Sequence, residues 1–220
     1  MIVLLAILSF GQSVEKAEHL VPKEIPATAK TELAKNCLQI LGDDKTPVAR
    51  IWPLESCRGS AEPEQIANGL TLAELEGGQT IGWVEVLKPL KDFRAREIAA
   101  GVYCLRLVVQ PTSDDHNDTA PGPYFALLVP ALDADWKKAH KMETLFKLGT
   151  QLLDKHPAVL LFHPSGKAIG NPATAMPKVL TLENGYKAVV WPQKIAIGSQ
   201  EVFLEMRLVL MGQSPAVKTP

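Results

Sequence analysis

Four side chains crowded into five residues make the best case for chemistry in this chain. They are Asp114, Asp115, His116 and Asp118, in the run TSDDHNDTAPGP. Carboxylates at adjacent and alternate positions can gather a hard divalent cation such as calcium, and an imidazole beside them can hold a softer metal. A divalent metal is thus the one cofactor the chain points to; no other is expected. The run lacks the position-by-position order of an EF-hand, and Asn117 and Thr119 are turn formers in their own right. Asp and Asn in such a run usually close turns through their side chains, so the structural reading leads.

The five histidines, His19, His116, His140, His156 and His163, form no His-x-His or His-Glu-x-x-His pair. His156 and His163 each precede a proline and flank one apolar run. At about 3.3 Å per residue along a strand they stand too far apart to share a metal. Cys104 has no histidine near it in sequence and reads as a packed thiol. Gly-x-Ser-x-Gly, a recognised Cys/His spacing and a phosphate-binding glycine loop are all missing. Carboxylate pairs such as Asp43 with Asp44, or Glu74 with Glu76, are of the kind any surface carries, so no catalytic residue is assigned. Trp52, Trp83, Trp136 and Trp191 would make a glycan platform if exposed; packing is their default role.

The elements that must position these residues are mostly strands. In GVYCLRLVVQ, Tyr103, Leu105, Leu107 and Val109 share one face, and Val102, Cys104, Arg106, Val108 and Gln110 the other. Tyr124 to Val129 is apolar on both faces, as a buried strand is. Further strands are expected over 33–40, 48–54, 81–87, 158–162, 178–182, 186–191, 194–197 and 201–211. Residues 56–69 read as a loop with room for one helical turn, and KPLKDFRAREI as a charged connection. Residues 135–155 have helical spacing, with Met142, Leu145, Phe146, Leu152 and Leu153 on one stripe and Asp133 or Asp135 as cap. Gly149 falls on that stripe, which predicts close packing against a sheet. The pattern predicts a mainly β fold: an antiparallel β-sandwich, immunoglobulin-like or jelly-roll-like, with one packed amphipathic helix.

At 220 residues, 46% hydrophobic and 21% charged, the chain can bury a sizeable core. Its net charge is −1, with 23 Lys and Arg against 24 Asp and Glu, and it has no basic run interleaved with aromatics. Nucleic-acid binding is disfavoured, since phosphate contacts need a positive surface. Ile2 to Phe10 is apolar and uncharged, too short to span a bilayer, and Gly11-Gln12-Ser13 supplies small residues for a signal peptidase. The expected organisation is a signal peptide over 1–13, a polar arm over 14–30, one β-sandwich domain over 31–212 and a flexible tail over 213–220. No transmembrane segment is expected after cleavage. The mature chain would then be periplasmic or extracellular. In that compartment Cys37 and Cys57 could pair, since they flank a strand–Gly-Asp-Asp–strand unit able to bring its ends together; two unpaired small hydrophobes is the other reading.

Several segments carry a resemblance. The run EIAAGVYCLRLVVQPTSDDHNDTAPGPYFALLVPA, the helix ending in LLDKHPAVLLF and the earlier ARIWPLE resemble a group of uncharacterised exported bacterial proteins of planctomycete and acidobacterial type. Those share a Gly-Val-Tyr-x-Leu-Arg strand, an Asp-x-Asp-His loop, a Phe-x-Leu-Leu strand and a His-Pro-Ala-Val segment. Gly101, Val102, Tyr103, Leu105, Arg106, Asp114, His116, Phe125, Leu127, Leu128, His156, Pro157, Ala158 and Val159 match, over roughly residues 48–162. The loop here reads Ser-Asp-Asp-His and lacks the usual glycine. Because the corner holding His156 belongs to the same pattern as the loop, the resemblance makes His156 the one outside ligand to set beside His116. It brings no activity with it. The functional expectation is a non-catalytic exported module of the cell envelope that binds a ligand, a protein or a glycan. The alternatives are a metal-binding protein or metal-dependent enzyme using the Asp/His loop, and a structural envelope component.

Overall fold

The computed structural model describes residues 13–111, 120–132, 135–153, 155–164, 176–182, 185–212 and 214. It is an antiparallel β-sandwich with few helices. Seven strands form the larger sheet: β1 (Ser13–Ala17), β2 (Cys37–Leu41), β3 (Pro47–Pro53), β5 (Thr80–Val86), β8 (Gly101–Val109), β9 (Tyr124–Pro130) and β10 (Val159–Leu161), in that spatial order. The smaller sheet has β12 (Lys187–Ile197) at its centre, with β13 (Gln200–Met211) on one side and both β11 (Lys178–Thr181) and the parallel β4 (Ser56–Arg58) on the other. A short hairpin, β6 (Leu90–Lys91) and β7 (Glu97–Ile98), stands apart. Spatial neighbours follow chain order in the larger sheet, which is a meander; in the smaller sheet β4 departs from that order by pairing parallel with β12. The sheet edges meet: β1 lies beside β11, and β10 beside β13 through a Phe162–Leu208 bridge.

Period-two alternation decides which residues look which way. Trp83 pairs with Cys104 and Cys104 with Val129, while Thr80, Arg106 and Leu127 fall in a second row on the same face. The alternate residues Leu38, Ile51, Val84, Leu105, Leu107 and Leu128 are buried too and look toward the smaller sheet, which contributes Trp191, Ile195, Leu204 and Met206. The Trp83 face is covered by the crossover from β9 to β10. Trp136 from that crossover meets Trp83 edge to face at 5.7 Å, and Trp83 Nε1 donates to Ala131 O at 3.1 Å. Truncating a buried indole of this kind costs about 3–5 kcal/mol.

Two glycines let the crossover sit this close. Gly78 has φ +80, and a Cβ there would lie 2.0 Å from His140 O; His140 N donates to Gly78 O across the same gap. Gly149, the last residue of helix α3 (Met142–Gly149), would drive a Cβ to 2.5 Å from Pro157 Cβ and 3.0 Å from Leu127 Cδ2. The expected close helix–sheet approach at Gly149 is therefore real.

Several expectations are corrected. The helix is much shorter than 135–155 and starts at Met142 after Lys141, not at an Asp cap. The sheet takes the carbonyls an earlier start would need. Arg106 donates to Asp135 O and Lys138 O, Thr80 Oγ1 to Trp136 O, and Arg58 to Lys137 O. The two strands read at 186–191 and 194–197 are one, with Pro192 inside it. Proline has no N–H to give, and Pro192 sits where β11 has ended and β4 has not begun. The polar arm over 14–30 begins as strand: β1 pairs with β2 from Ser13–Leu41 to Ala17–Cys37, and Ala27–Lys30 forms a helical turn, α1, that buries Ala29. The loop over 56–69 does hold its expected helical turn, as helix α2 (Pro63–Asn68) with a Glu62/Gln65 capping box; the short strand β4 at its start was not expected. In the tail, Ser214 is buried and its N–H donates to Phe93 O; the leader and most of the tail lie outside the described residues.

The Cys37–Cys57 disulfide is not formed; all three cysteines are buried free thiols. β2 and β3 do make the expected hairpin, but the chain crosses to the smaller sheet after Pro53. Cys57 then pairs with Ile195, whereas Cys37 stays in the larger sheet opposite Ala17.

Candidate functional site

Asp114, Asp115, His116 and Asp118 lie outside the described residues. Their roots are described. β8 and β9 bring them together at one end of the larger sheet, where Gln110 N donates to Pro123 O at 2.6 Å. His163 stands at this same end: Phe162 N donates to Tyr124 O, and His163 N to Arg207 O. Arg207, bonded to Glu205 at 2.6 Å, also reaches Pro164 O. His156 is elsewhere. Val159 pairs with Leu127 and Leu161 with Phe125, so His156 falls at the Pro130 end of β9. The seven residues of β9 separate it from the loop roots by roughly 20 Å at the usual strand rise.

What surrounds His156 is a structural clamp. Asp92 is fully buried in the β6–β7 turn. Its Oδ1 accepts the N–H groups of Arg94 and Arg96 at 2.9 and 2.8 Å, and its Oδ2 takes Arg96 Nε and Nη2 at 3.2 and 2.6 Å. Arg96 in turn donates to His156 O and to Pro157 O. Carboxylate and guanidinium are thereby largely consumed in joining the hairpin to the helix–strand corner. His156 itself is half-buried, places Nδ1 2.8 Å from Pro157 O and meets Phe146 edge to face. Burial is the main cause holding its pKa below 6.5, helped by Arg94 and Arg96 and opposed by the Pro157 carbonyl and Asp92. The imidazole is thus neutral at pH 7. Its described surroundings supply one carboxylate, and Arg96 occupies it.

Other polar groups that sequence patterns did not single out serve the same end. Arg106, in the strand motif of the resemblance, is fully buried and donates to carbonyls of the crossover and to Gly78 O. Its signal was visible: an arginine in an otherwise apolar strand, with no role assigned to it. Gln79 ties β4 to the start of β5 through Arg58 N and O, and Gln193 holds Leu54 O and Trp191 Nε1 at the crossing between sheets. Glu15, Gln39, Arg50 and Glu85 occupy one register row across β1, β2, β3 and β5. Gln39 bonds Glu15, Arg50 and the exposed His19, and Arg50 meets Glu85 at 3.0 Å. Each residue is ordinary on its own; only the register makes them a ladder.

Burial pushes the Cys37 thiol up to about 11 and the Cys57 thiol up to about 12, so neither is a thiolate nucleophile near neutral pH. All four tryptophans are at most 5% exposed, which removes them as a glycan platform. Among the described residues no three His, Cys, Asp or Glu side chains come together as a metal site, and no helix is long and apolar enough to cross a membrane. Comparison with family models, curated proteins and solved structures finds no match to this chain.

Proposed function

We propose that this chain is a non-catalytic exported module of the cell envelope that binds a ligand or partner through its surface. The observation carrying the non-catalytic part is how its buried polar groups are used. Asp92, Arg106, Gln79 and Gln193 bond backbone or one another's segments as ties between elements, while Cys37 and Cys57 are held protonated. An active site needs reactive groups aimed at a substrate instead. Export is supported by the apolar run Ile2–Phe10 and the small residues ahead of β1. Cleavage after Ser13 would remove only the first of the five ladder positions of β1 and leave the rest paired with β2. The test is fractionation of the native host with mass spectrometry of the mature chain. A periplasmic or secreted chain starting near Val14 is expected; an intact Met1 in the cytosolic fraction overturns export.

A metal-binding reading has one observation in its favour: the roots of the Asp/His loop and His163 share one end of the sheet. A ligand set built there would join His163, rather than His156, to Asp114, Asp115, His116 and Asp118. Elemental analysis of purified protein decides. Stoichiometric metal that is lost in His116→Ala with the fold intact would replace the non-metal reading.

A further inference from the structure

We infer that Asn68 is a site of spontaneous deamidation: in the folded protein the Gly69 nitrogen displaces its side-chain amide, leaving aspartate and isoaspartate. A glycine after asparagine has no β-carbon to crowd the attacking nitrogen, and the chain holds two such pairs, Asn68-Gly69 and Asn184-Gly185. What separates them is how firmly the backbone at each glycine is held.

Asn68 is the last residue of α2, a helix of six residues none of which is buried. A helix this short is marginal by itself. Its start is supported by the Glu62/Gln65 capping box, by Pro63 and by a Gln65–Glu74 hydrogen bond at 3.2 Å, and Ile66 packs half-buried on the core. Its end has no such support. Asn68 is exposed, and its side chain makes no hydrogen bond among the described residues. Gly69 leaves the helix at φ +94, and its N–H reaches Ile66 O at 3.3 Å. Fraying stops one residue on, where Leu70 is fully buried and Thr71 caps the next turn. Asn184 lies outside the described residues, but Gly185 sits in a tight turn between β11 and β12. Gly185 N donates to Leu182 O at 3.1 Å, Leu182 N donates to Tyr186 O at 2.7 Å, and Tyr186 is buried against Phe93. Freeing that glycine means unzipping a strand pair.

While Asn68 is helical, the Gly69 nitrogen is turned away from its side chain and keeps its proton in a hydrogen bond. Once the last turn opens, a solvent base takes that proton and the nitrogen attacks Asn68 Cγ. The new C–N bond closes a cyclic imide as the Cγ–Nδ2 bond breaks, and Nδ2 leaves as ammonia with a proton returned by solvent. Water then opens the ring at either carbonyl. The sum is amide plus water to acid plus ammonia, with no oxidant or reductant. Either product places a carboxylate four residues after Glu64 and at the negative end of the helix dipole, so α2 does not close again as before. The core is spared, because α2 gives it no fully buried residue. None of this depends on where in the cell the chain resides.

The test is prolonged incubation of the full native chain at neutral pH, with peptide mapping by mass spectrometry and labelling by an isoaspartyl methyltransferase. A synthetic peptide of residues 62–74 is the unfolded reference. Helix ends open at almost no cost, so Asn68 should convert in the native chain at a rate within about tenfold of the peptide's. A residue released only by global unfolding would lag by about a thousandfold or more. Aspartate and isoaspartate should both appear at position 68, ahead of any change at Asn184, and Asn68→Gln should remove the label from this segment. The product, separated by its added negative charge, should unfold at the same temperature as fresh protein and lose amide protection within residues 63–69 alone. Conversion of Asn68 more than about tenfold slower than in the peptide overturns the inference. So does earlier conversion at Asn184, aspartate without isoaspartate, or a product found only in an unfolded fraction.

Discussion

Replacing Asp92 should damage the fold more than any charge on its surface. The carboxylate is fully buried and takes two backbone N–H groups and two guanidinium contacts, while its partner Arg96 is 28% exposed. In Asp92→Ala the Arg94 and Arg96 amides lose their acceptor, and two hydrogen bonds to a charged group at about 1.5 kcal/mol each give roughly 3 kcal/mol. The ion pair adds little beyond this, since water reaches Arg96. For a chain of this length that corresponds to a fall of about 6–12 °C in Tm. Asp92→Asn keeps an oxygen for the amides but turns an NH2 group toward the guanidinium, so about half the loss is expected. Urea unfolding of both variants gives the magnitudes, and hydrogen exchange locates the damage. The amide of Phe93, bonded to Val159 O, should exchange faster, because the hairpin is what closes that edge of β10. Arg96→Ala also releases the carbonyls of His156 and Pro157, and the double variant should show a coupling of about 0.5–1 kcal/mol, the size of a part-exposed pair. A loss under about 1 kcal/mol in Asp92→Ala, or strict additivity in the double variant, would refute the clamp.

His156 has a folded pKa below its unfolded value, so the unfolded chain binds the proton first as pH falls through 6.5. Stability should therefore decline from pH 7 toward pH 5 and level off once the folded imidazole is also charged; His156→Gln should flatten this window, and an NMR titration midpoint at or above 6.5 would contradict it. Gly78→Ala faces both a positive φ and His140 O, and should cost at least about 3 kcal/mol, beyond the 1–2 kcal/mol of the left-handed conformation alone; urea unfolding measures it, and a near-neutral effect would mean that the crossover can lift from the sheet. The three thiols should resist a disulfide-exchange reagent in the native protein and all react after unfolding; a Cys37–Cys57 peptide in a non-reducing digest would overturn the free-thiol state.

The parts of the fold legible in the sequence are those where one local signal suffices. β8, β9 and β13 alternate or run apolar over seven residues or more, and Gly149 on an apolar stripe can only mean a close neighbour. β4 and the β6–β7 hairpin were not legible, because two or three residues hold no period, and the partner of β4 is far off in the chain. The over-long helix shows a different limit. The spacing from Asp135 onward is helical, but helical spacing says nothing of which donors compete for the carbonyls. Here Arg58, Thr80 and Arg106 take four in succession and hold residues 135–138 as a single hydrogen-bonded turn.

The candidate site follows the same logic in reverse. Asp114 to Asp118 drew attention because four reactive types are adjacent in sequence, whereas the most heavily bonded carboxylate described, Asp92, sits in KDFRARE and looks like solvated surface. Adjacency in sequence is cheap in a loop, since nothing forces neighbouring side chains to converge. Burial of a charge is expensive unless its lone pairs are met; the four donors to Asp92 come from Arg94 and Arg96 of its own turn, and it is the onward bonds of Arg96 to His156 O and Pro157 O that reach far along the chain. The clamp draws on β6, β7 and the corner after α3, none of which predicts it alone.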